Sequence, residues 1–395
     1  MISVIKQKVD LIAECIYTKI LRIEEKSFGL YSGDFGLLLF LLFYSRYSKN
    51  EKYALMAENY AEKLLEQFVA REHPHTFCSG FSGVMYLFEF LRETRIIDLD
   101  ISPIQLAVDN YIISKMRLDI QQRYYDFMHG AMGVGLYFLK RKTNPEYIQE
   151  LVDFLYDTAE KDFNNQTFKW ESVVDYEKNL SGYNLALSHG ISSIIIFLAR
   201  VVNSGMRDEK ITKMLSGAVN YVLSLEKDFS QFGSCFPNYI LKDSPEDISK
   251  SRLAWCYGDL GTGSALWQAG KALGIKKVEE EGLQILLKST QRRDIIECLV
   301  MDAGICHGSA GLAMIYRRMF LETFQEEFKN ATTYWITQTL HFSRFEDGLA
   351  GYKSFMSGKW VCDFSLITGI AGIGLVLLSY LEDSQQDWDE MFLLS

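Results

Sequence analysis

Residues able to carry a proton or hold a metal stand in two aligned columns of this sequence. Seven times along the chain a glycine opens an apolar run. The residues just ahead of those glycines are Ser32, Ser79, His129, His189, Tyr257, His307 and Thr368. One position earlier stand Tyr31, Cys78, Met128, Ser188, Cys256, Cys306 and Ile367. Three of the six histidines and three of the seven cysteines fall in these columns, a concentration unlike core filler. Cys256 and Cys306 share a register in consecutive repeats, and His307 follows directly. Two thiolates and an imidazole on glycine-rich loops suit one Zn²⁺, with a fourth position open as catalytic sites require. The competing reading is plain. A buried cysteine is ordinarily a small hydrophobe, and a histidine at a helix start is often a cap or a core residue. The Cys-x49-Cys-His spacing is no standard local zinc knuckle, so spacing alone leaves both readings open. Cys78 lies in the second repeat, far from the fifth and sixth, where packing is the expected role. Cys15, Cys235, Cys298 and Cys362 lie outside the columns.

The elements that must position these residues follow from the repeat. Gly33-Asp-Phe-Gly36, Gly80-Phe-Ser-Gly83, Gly130-Ala-Met-Gly133, Gly258-Asp-Leu-Gly261, Gly308-Ser-Ala-Gly311 and Gly369-Ile-Ala-Gly372 each precede an apolar run. Gly190-Ile-Ser-Ser193 does so without its second glycine. The first glycines are 47, 50, 60, 68, 50 and 61 residues apart. About 50 residues accommodate two helices of four to five turns and their loops, at roughly 1.5 Å rise per residue. Between the motifs lie amphipathic segments. One has apolar residues at 53, 56, 57, 60, 61, 64 and 65, a helical stripe backed by charge. The runs after the glycines are apolar nearly all round and are expected to be inner helices. Seven stacked pairs can form an open solenoid or a closed ring. No polar capping repeat is visible at the C-terminus, which favours closure. The predicted fold is all-α: an α/α toroid, a double ring of seven inner and seven outer helices, forming one domain over residues 1–395. Longer loops are expected near 160–183 and 230–250. In such a ring every glycine motif lies at one end, and the two columns converge on its mouth.

Bulk composition narrows the function. The chain has 395 residues, 48% hydrophobic and 23% charged, which is ordinary globular composition. Only 5 prolines suit long helices. A net charge of −10 disfavours nucleic acid as a partner, because phosphate binding needs a basic surface. It permits attraction to a basic peptide, although mild acidity is common without one. Seven cysteines with no Cys-x-x-Cys argue against a secreted disulfide framework. Charges at Lys6, Lys8, Asp10 and Glu14 interrupt any signal-peptide core. The longest apolar run, Leu37 to Tyr44, falls far short of the roughly 18 residues of a membrane span. A cytoplasmic protein without a membrane span is expected.

Arg252-Leu-Ala-Trp-Cys-Tyr-Gly258, Cys306-His-Gly-Ser-Ala-Gly311 and Leu187-Ser-His-Gly190 resemble the motifs of the lanthionine cyclase (LanC-like) family. With the sevenfold glycine repeat, the resemblance covers nearly the whole chain. It implies an α/α toroid with one catalytic zinc bound at Cys256, Cys306 and His307. It also implies addition of peptide cysteine thiols to dehydroalanine or dehydrobutyrine, giving the thioether rings of lanthipeptides. Asp126 matches the family's acidic position ahead of the third glycine motif, and Arg252 the arginine four residues before the first zinc cysteine. The chain departs from the family at Gly258-Asp-Leu-Gly261, where Gly-x-Pro-Gly is usual, and at Ser193, where glycine is usual. Both changes touch loops rather than ligands. The implied substrate is a dehydrated precursor peptide with its leader. The implied partners are a dehydratase and an export transporter, a complex that would hold the protein peripherally at the membrane.

The chemistry needs an activated thiol and a proton for the α-carbon. His189 is the candidate proton carrier, oriented by Asp126. Arg252 is a candidate to stabilise the enolate or orient a zinc ligand. The plainer readings are a helix cap for Asp126 and a structural ion pair for Arg252. His129 lines the mouth without matching a family position. The two long intervals can grip the peptide or be inert surface. One rival is a non-cyclising relative with the same zinc site, binding glutathione or another thiol, or serving as a scaffold. A prenyltransferase-like toroid would need a carboxylate ligand and a basic diphosphate pocket. A toroid glycosidase would need paired carboxylates, and only Asp126, Asp34 and Asp259 are near the mouth.

Overall fold

The computed structural model describes residues 1–22, 27–70, 72–97, 100–175, 177–382 and 386–395. Its helices are α1 (Ile2–Arg22), α2 (Asp34–Ser48), α3 (Glu51–Ala70), α4 (Phe81–Thr94), α5 (Ser102–Gln121), α6 (Ala131–Arg141) and α7 (Pro145–Thr158). They continue with α8 (Ile191–Asn203), α9 (Glu209–Leu223), the single turn α10 (Phe229–Phe232), α11 (Asp259–Leu273), α12 (Lys276–Ser289), α13 (Ser309–Thr323), α14 (Glu326–His341) and α15 (Ile370–Leu381). A 3₁₀ turn, Trp388–Phe392, ends the chain. Each glycine motif opens a helix, and these seven are α2, α4, α6, α8, α11, α13 and α15.

Burial separates the two sets as the sequence predicts. Every residue of α2 from Asp34 to Tyr44 is buried. Among its described side chains, the next helix, α3, buries a stripe (Tyr53, Ala57, Tyr60, Ala61, Leu64). Likewise α12 buries Gly282, Ile285, Leu286 and Ser289 and exposes its charged face. Each large apolar side chain so buried contributes about 1.5–3 kcal/mol against exposure. The second glycine of the motif has a steric reason. A Cβ on Gly311 would strike the backbone carbonyl of Ile305, and one on Gly372 that of Leu366. Ser193 stands in this position in α8, and its Oγ donates to the Gly190 carbonyl at 2.7 Å.

The described residues divide into two compact units. One comprises Met1–Ile112 with Val300–Ser395, the other Ile113–Leu299. Within the first unit the last repeat meets the first: Leu366 and Ile367 donate their amides to the Tyr31 carbonyl at 3.0 and 3.1 Å, and α15 packs on α1 and α2. The missing polar cap at the C-terminus is thereby explained. The terminal 3₁₀ turn is buried here too, with Phe392 stacked on Tyr31 at 4.7 Å. No helix among the described residues is long and apolar enough to cross a membrane.

The two long intervals correct the loop expectation. Residues 160–175 and 180–184 form β1 (Glu160–Asp162), β2 (Thr167–Lys169), β3 (Ser172–Asp175) and β4 (Leu180–Asn184), and the later interval supplies β5 (Tyr239–Leu241). Strands β1 and β2 make an antiparallel hairpin, while β3, β4 and β5 form a three-stranded antiparallel sheet in that order. Tertiary packing holds these short strands. Phe168 lies against Gly217 of α9, and buried Trp170 donates its Nε1 to the Leu155 carbonyl at 2.8 Å. Tyr176, inside the first interval, lies outside the described residues. In the first unit β6 (Ser354–Met356) and β7 (Lys359–Val361) form a second hairpin.

Candidate active site

The second unit gathers an acid–base cluster. Three residues before the α6 glycine loop ends at His129, Asp126 is held almost buried. Its Oδ1 accepts the backbone N–H of His129 at 2.7 Å. Its Oδ2 lies 2.7 Å from Nδ1 of His189, which opens the loop before α8. With Nδ1 engaged by the carboxylate, Nε2 is the nitrogen left for proton exchange. Burial pulls the His189 pKa down, but the Asp126 hydrogen bond, its charge and the nearby Cys256 sulfur outweigh that loss, and the imidazole is raised above its ordinary value. His189 therefore holds its proton to higher pH than an ordinary imidazole.

These side chains open onto a cavity of about 560 Å³, lined also by His129, Tyr257, Arg123 and Glu171 and by the wall strand β3. The sequence reading missed β3, Arg123 and Glu171 as parts of the site. The only signal was the Val173-Val174 pair after Trp170, a β-branched step too short to distinguish from loop.

Cys256 sits one turn before α11 in the same unit. It is 5% exposed, and its carbonyl accepts the Leu187 amide at 3.0 Å, which ties the loop of His189 to the loop of Cys256. Gly258 takes φ +84°, a left-handed value, and a Cβ there would strike the Arg252 carbonyl. Only glycine turns the chain from Cys256 into α11 without strain. Arg252 is not at the cavity. Its Nη2 donates to the Leu299 carbonyl at 2.7 Å, and its Nε is buried without a partner. Asp259, weighed as a second mouth carboxylate, faces inward. It is fully buried against Arg292 at 3.1 Å and accepts the amides of Cys235 and Phe236.

Cys306 and His307 belong to the first unit, on the loop before α13. The Cys306 amide donates to the Ile367 carbonyl at 2.9 Å, an interloop bond in which Cys306 is the donor, whereas Cys256 is the acceptor in its own. Both side chains are half-buried. Behind His307, Asp302 lies 3.6 Å from Nε2 while accepting the amides of Gly304 at 2.9 Å and Phe355 at 2.8 Å. Asp34 in this unit is bound to Lys19 at 2.6 Å and the Ser27 amide at 2.7 Å, so it too is structural.

The donor chemistry of Cys256, Cys306 and His307 fits zinc: two sulfurs, one imidazole and no disulfide among the seven cysteines. Asp302 stands 3.6 Å from Nε2 of His307, a carboxylate beside the imidazole of the kind that orients metal-binding histidines. Among the described residues no three histidine, cysteine, aspartate or glutamate side chains are gathered in a geometry ready to hold a metal ion.

Comparison with known proteins places this arrangement. The structure is similar to that of nisin cyclase, with a TM-score of 0.78 at 20% identity, covering 99% of this chain and 97% of that one. That likeness shows the fold, which is the expected helical toroid. A curated relative, "Glutathione S-transferase LANCL1" of Danio rerio, is 25% identical over 187 residues, 47% of this chain and 42% of that protein. The match thus spans less than half of the relative's length. Residues 24–393 match the family described as lanthionine synthetase C-like protein, and the chain belongs to that family.

Proposed function

We propose that this protein is a zinc-dependent lanthionine cyclase, adding peptide cysteine thiols to dehydroalanine or dehydrobutyrine to form thioether rings. The observation that carries this reading is the Asp126–His189 pair at the cavity, with the Cys256 sulfur close enough to act on the His189 charge. Cys256, Cys306 and His307 would hold the zinc, whose chemistry is to deprotonate a bound thiol and keep it nucleophilic. A free thiol of pKa near 8.5 is only a few per cent thiolate at neutral pH. Full deprotonation therefore contributes at most about 30-fold, or roughly 2 kcal/mol. The larger share falls to positioning of the thiol beside its acceptor.

The chain's own residues then carry the proton. Sulfur adds to the β-carbon, and negative charge builds on the α-carbon and its carbonyl. His189, kept protonated by Asp126, delivers its Nε2 proton to the α-carbon. Arg252 acts at a distance as a positioning residue, fixing the chain four residues before Cys256. The reading carries with it a dehydrated precursor peptide as substrate, and a dehydratase and exporter as cytoplasmic-side partners.

The likeness to a relative named as a glutathione S-transferase favours one second reading, addition of a free thiol to an external electrophile. One experiment separates the two. A peptide holding one cysteine and one dehydroalanine is incubated with the protein, with and without chelator, and loss of free thiol is followed because ring closure leaves mass unchanged. Cyclisation predicts chelator-sensitive thiol loss without glutathione. Persistence of the peptide thiol would sink the cyclase reading, and consumption of added glutathione would favour the second.

A further inference from the structure

We infer that His129 is a second catalytic residue of this site, taking the proton that the substrate thiol sheds while His189 supplies the one that the α-carbon gains. The inference rests on the cyclase reading and deepens it.

Four observations carry it. The His129 and His189 rings lie nearly parallel, 15° apart with centroids separated by 5.7 Å. Both line the same cavity. Both are tied to one carboxylate, but differently. Asp126 grips the His189 ring at Nδ1, whereas it holds His129 only through the backbone amide. Among the described residues the His129 ring nitrogens have no hydrogen-bond partner, and the side chain is exposed. His189 is thus built to hold a proton, and His129 is left able to accept one.

The electrostatics run the same way. Loss of water on its protein-facing side lowers the His129 pKa; Asp126 opposes this and the His189 charge adds to it, and the net direction is down. His189 is shifted up. Arg123 and Glu171, of opposite sign, and the phenols of Tyr124, Tyr125 and Tyr257 are the other ionisable groups lining the cavity. Neighbouring groups pushed in opposite directions are the signature of an acid and a base sharing one site.

The atoms balance without an oxidant or reductant. The S–H bond breaks and its proton passes to a ring nitrogen of His129. A sulfur electron pair forms the S–Cβ bond, and the π pair of the dehydro residue moves onto the α-carbon and its carbonyl. His189 then releases its Nε2 proton to form the Cα–H bond. The site has moved one proton from His189 to His129, and exchange with water restores both. The two steps assist each other. A newly charged His129 beside a charged His189 makes the latter a stronger acid when the enolate needs a proton.

The test is the pH profile of thiol loss from the single-cysteine, single-dehydroalanine peptide, for the wild-type protein, His129→Gln and His129→Gly with and without added imidazole. The expected result is a fall in kcat of about 10²-fold or more in both variants, little change in KM, loss of the acid limb, and partial rescue of His129→Gly by imidazole. Histidine ring NMR on the full chain should show His129 titrating below His189. Variants that melt with the wild type yet keep its rate and acid limb would overturn the inference alone. A wild-type protein that consumes no peptide thiol would overturn the cyclase reading and this inference with it.

Discussion

Asp126 Oδ2 and His189 Nδ1 lie 2.7 Å apart although 63 residues separate them in the chain. The carboxylate opposes the burial that would otherwise strip His189 of its proton. A buried imidazole without such a partner titrates below its ordinary value. The pair therefore extends the pH range over which the His189 ring keeps its proton.

Asp126→Asn should leave the fold intact and move that range. The sign is fixed by the cause. With the charge gone, burial dominates and the His189 pKa falls. The alkaline limb of thiol loss, where His189 loses its proton, then shifts to lower pH, and the rate at neutral pH drops by about 10²-fold or more. A pH profile with its alkaline limb unmoved would show that Asp126 is only a loop brace.

Cys256→Ser, Cys306→Ser and His307→Ala should each lower bound zinc well below the roughly one equivalent per chain expected of a three-ligand site. Asp302→Asn should weaken zinc by about 10- to 100-fold without removing a ligand, because it frees the imidazole it faces. Metal analysis against a competing chelator reads both effects. Equal zinc content in the wild type and all three ligand variants would refute the assignment.

Gly258→Ala tests the turn that aims Cys256. A Cβ forced into the left-handed conformation and against the Arg252 carbonyl should cost on the order of 1–3 kcal/mol. The expected readouts are a lower Tm and weaker zinc binding in the same variant. A Tm and zinc affinity equal to wild type would mean the loop adapts freely.

The Asp259–Arg292 pair offers a contrast in stability. Both side chains are buried, at 0% and 7% exposure. Arg292→Ala leaves a buried carboxylate uncompensated and should cost about 3–5 kcal/mol. Breaking the exposed Lys276–Glu279 pair should cost about 0–1 kcal/mol. Denaturant midpoints of Arg292→Ala and Lys276→Ala would test the ordering.

Much of this protein is legible in one dimension. Glycine before an apolar run is a local signal, since the missing Cβ and the all-round hydrophobicity act within a few residues of each other. Seven such signals were enough to mark seven inner helices and to align His129, His189, Cys256, Cys306 and His307 in two columns. The strands at 160–184 and 239–241 escaped the same reading because three to five residues carry too little pattern, and Phe168 and Trp170 hold them only through α7 and α9. The fate of the carboxylates was also hidden. Asp126, Asp34 and Asp259 look alike beside their glycines, yet only Asp126 meets an imidazole, while the other two meet Lys19 and Arg292 from distant segments. Sequence by itself determined which residue types occupy the loops, because that depends on neighbours along the chain. Only the tertiary structure decided which charges meet and which face the cavity, because partner choice depends on distances that contiguous residues do not contain.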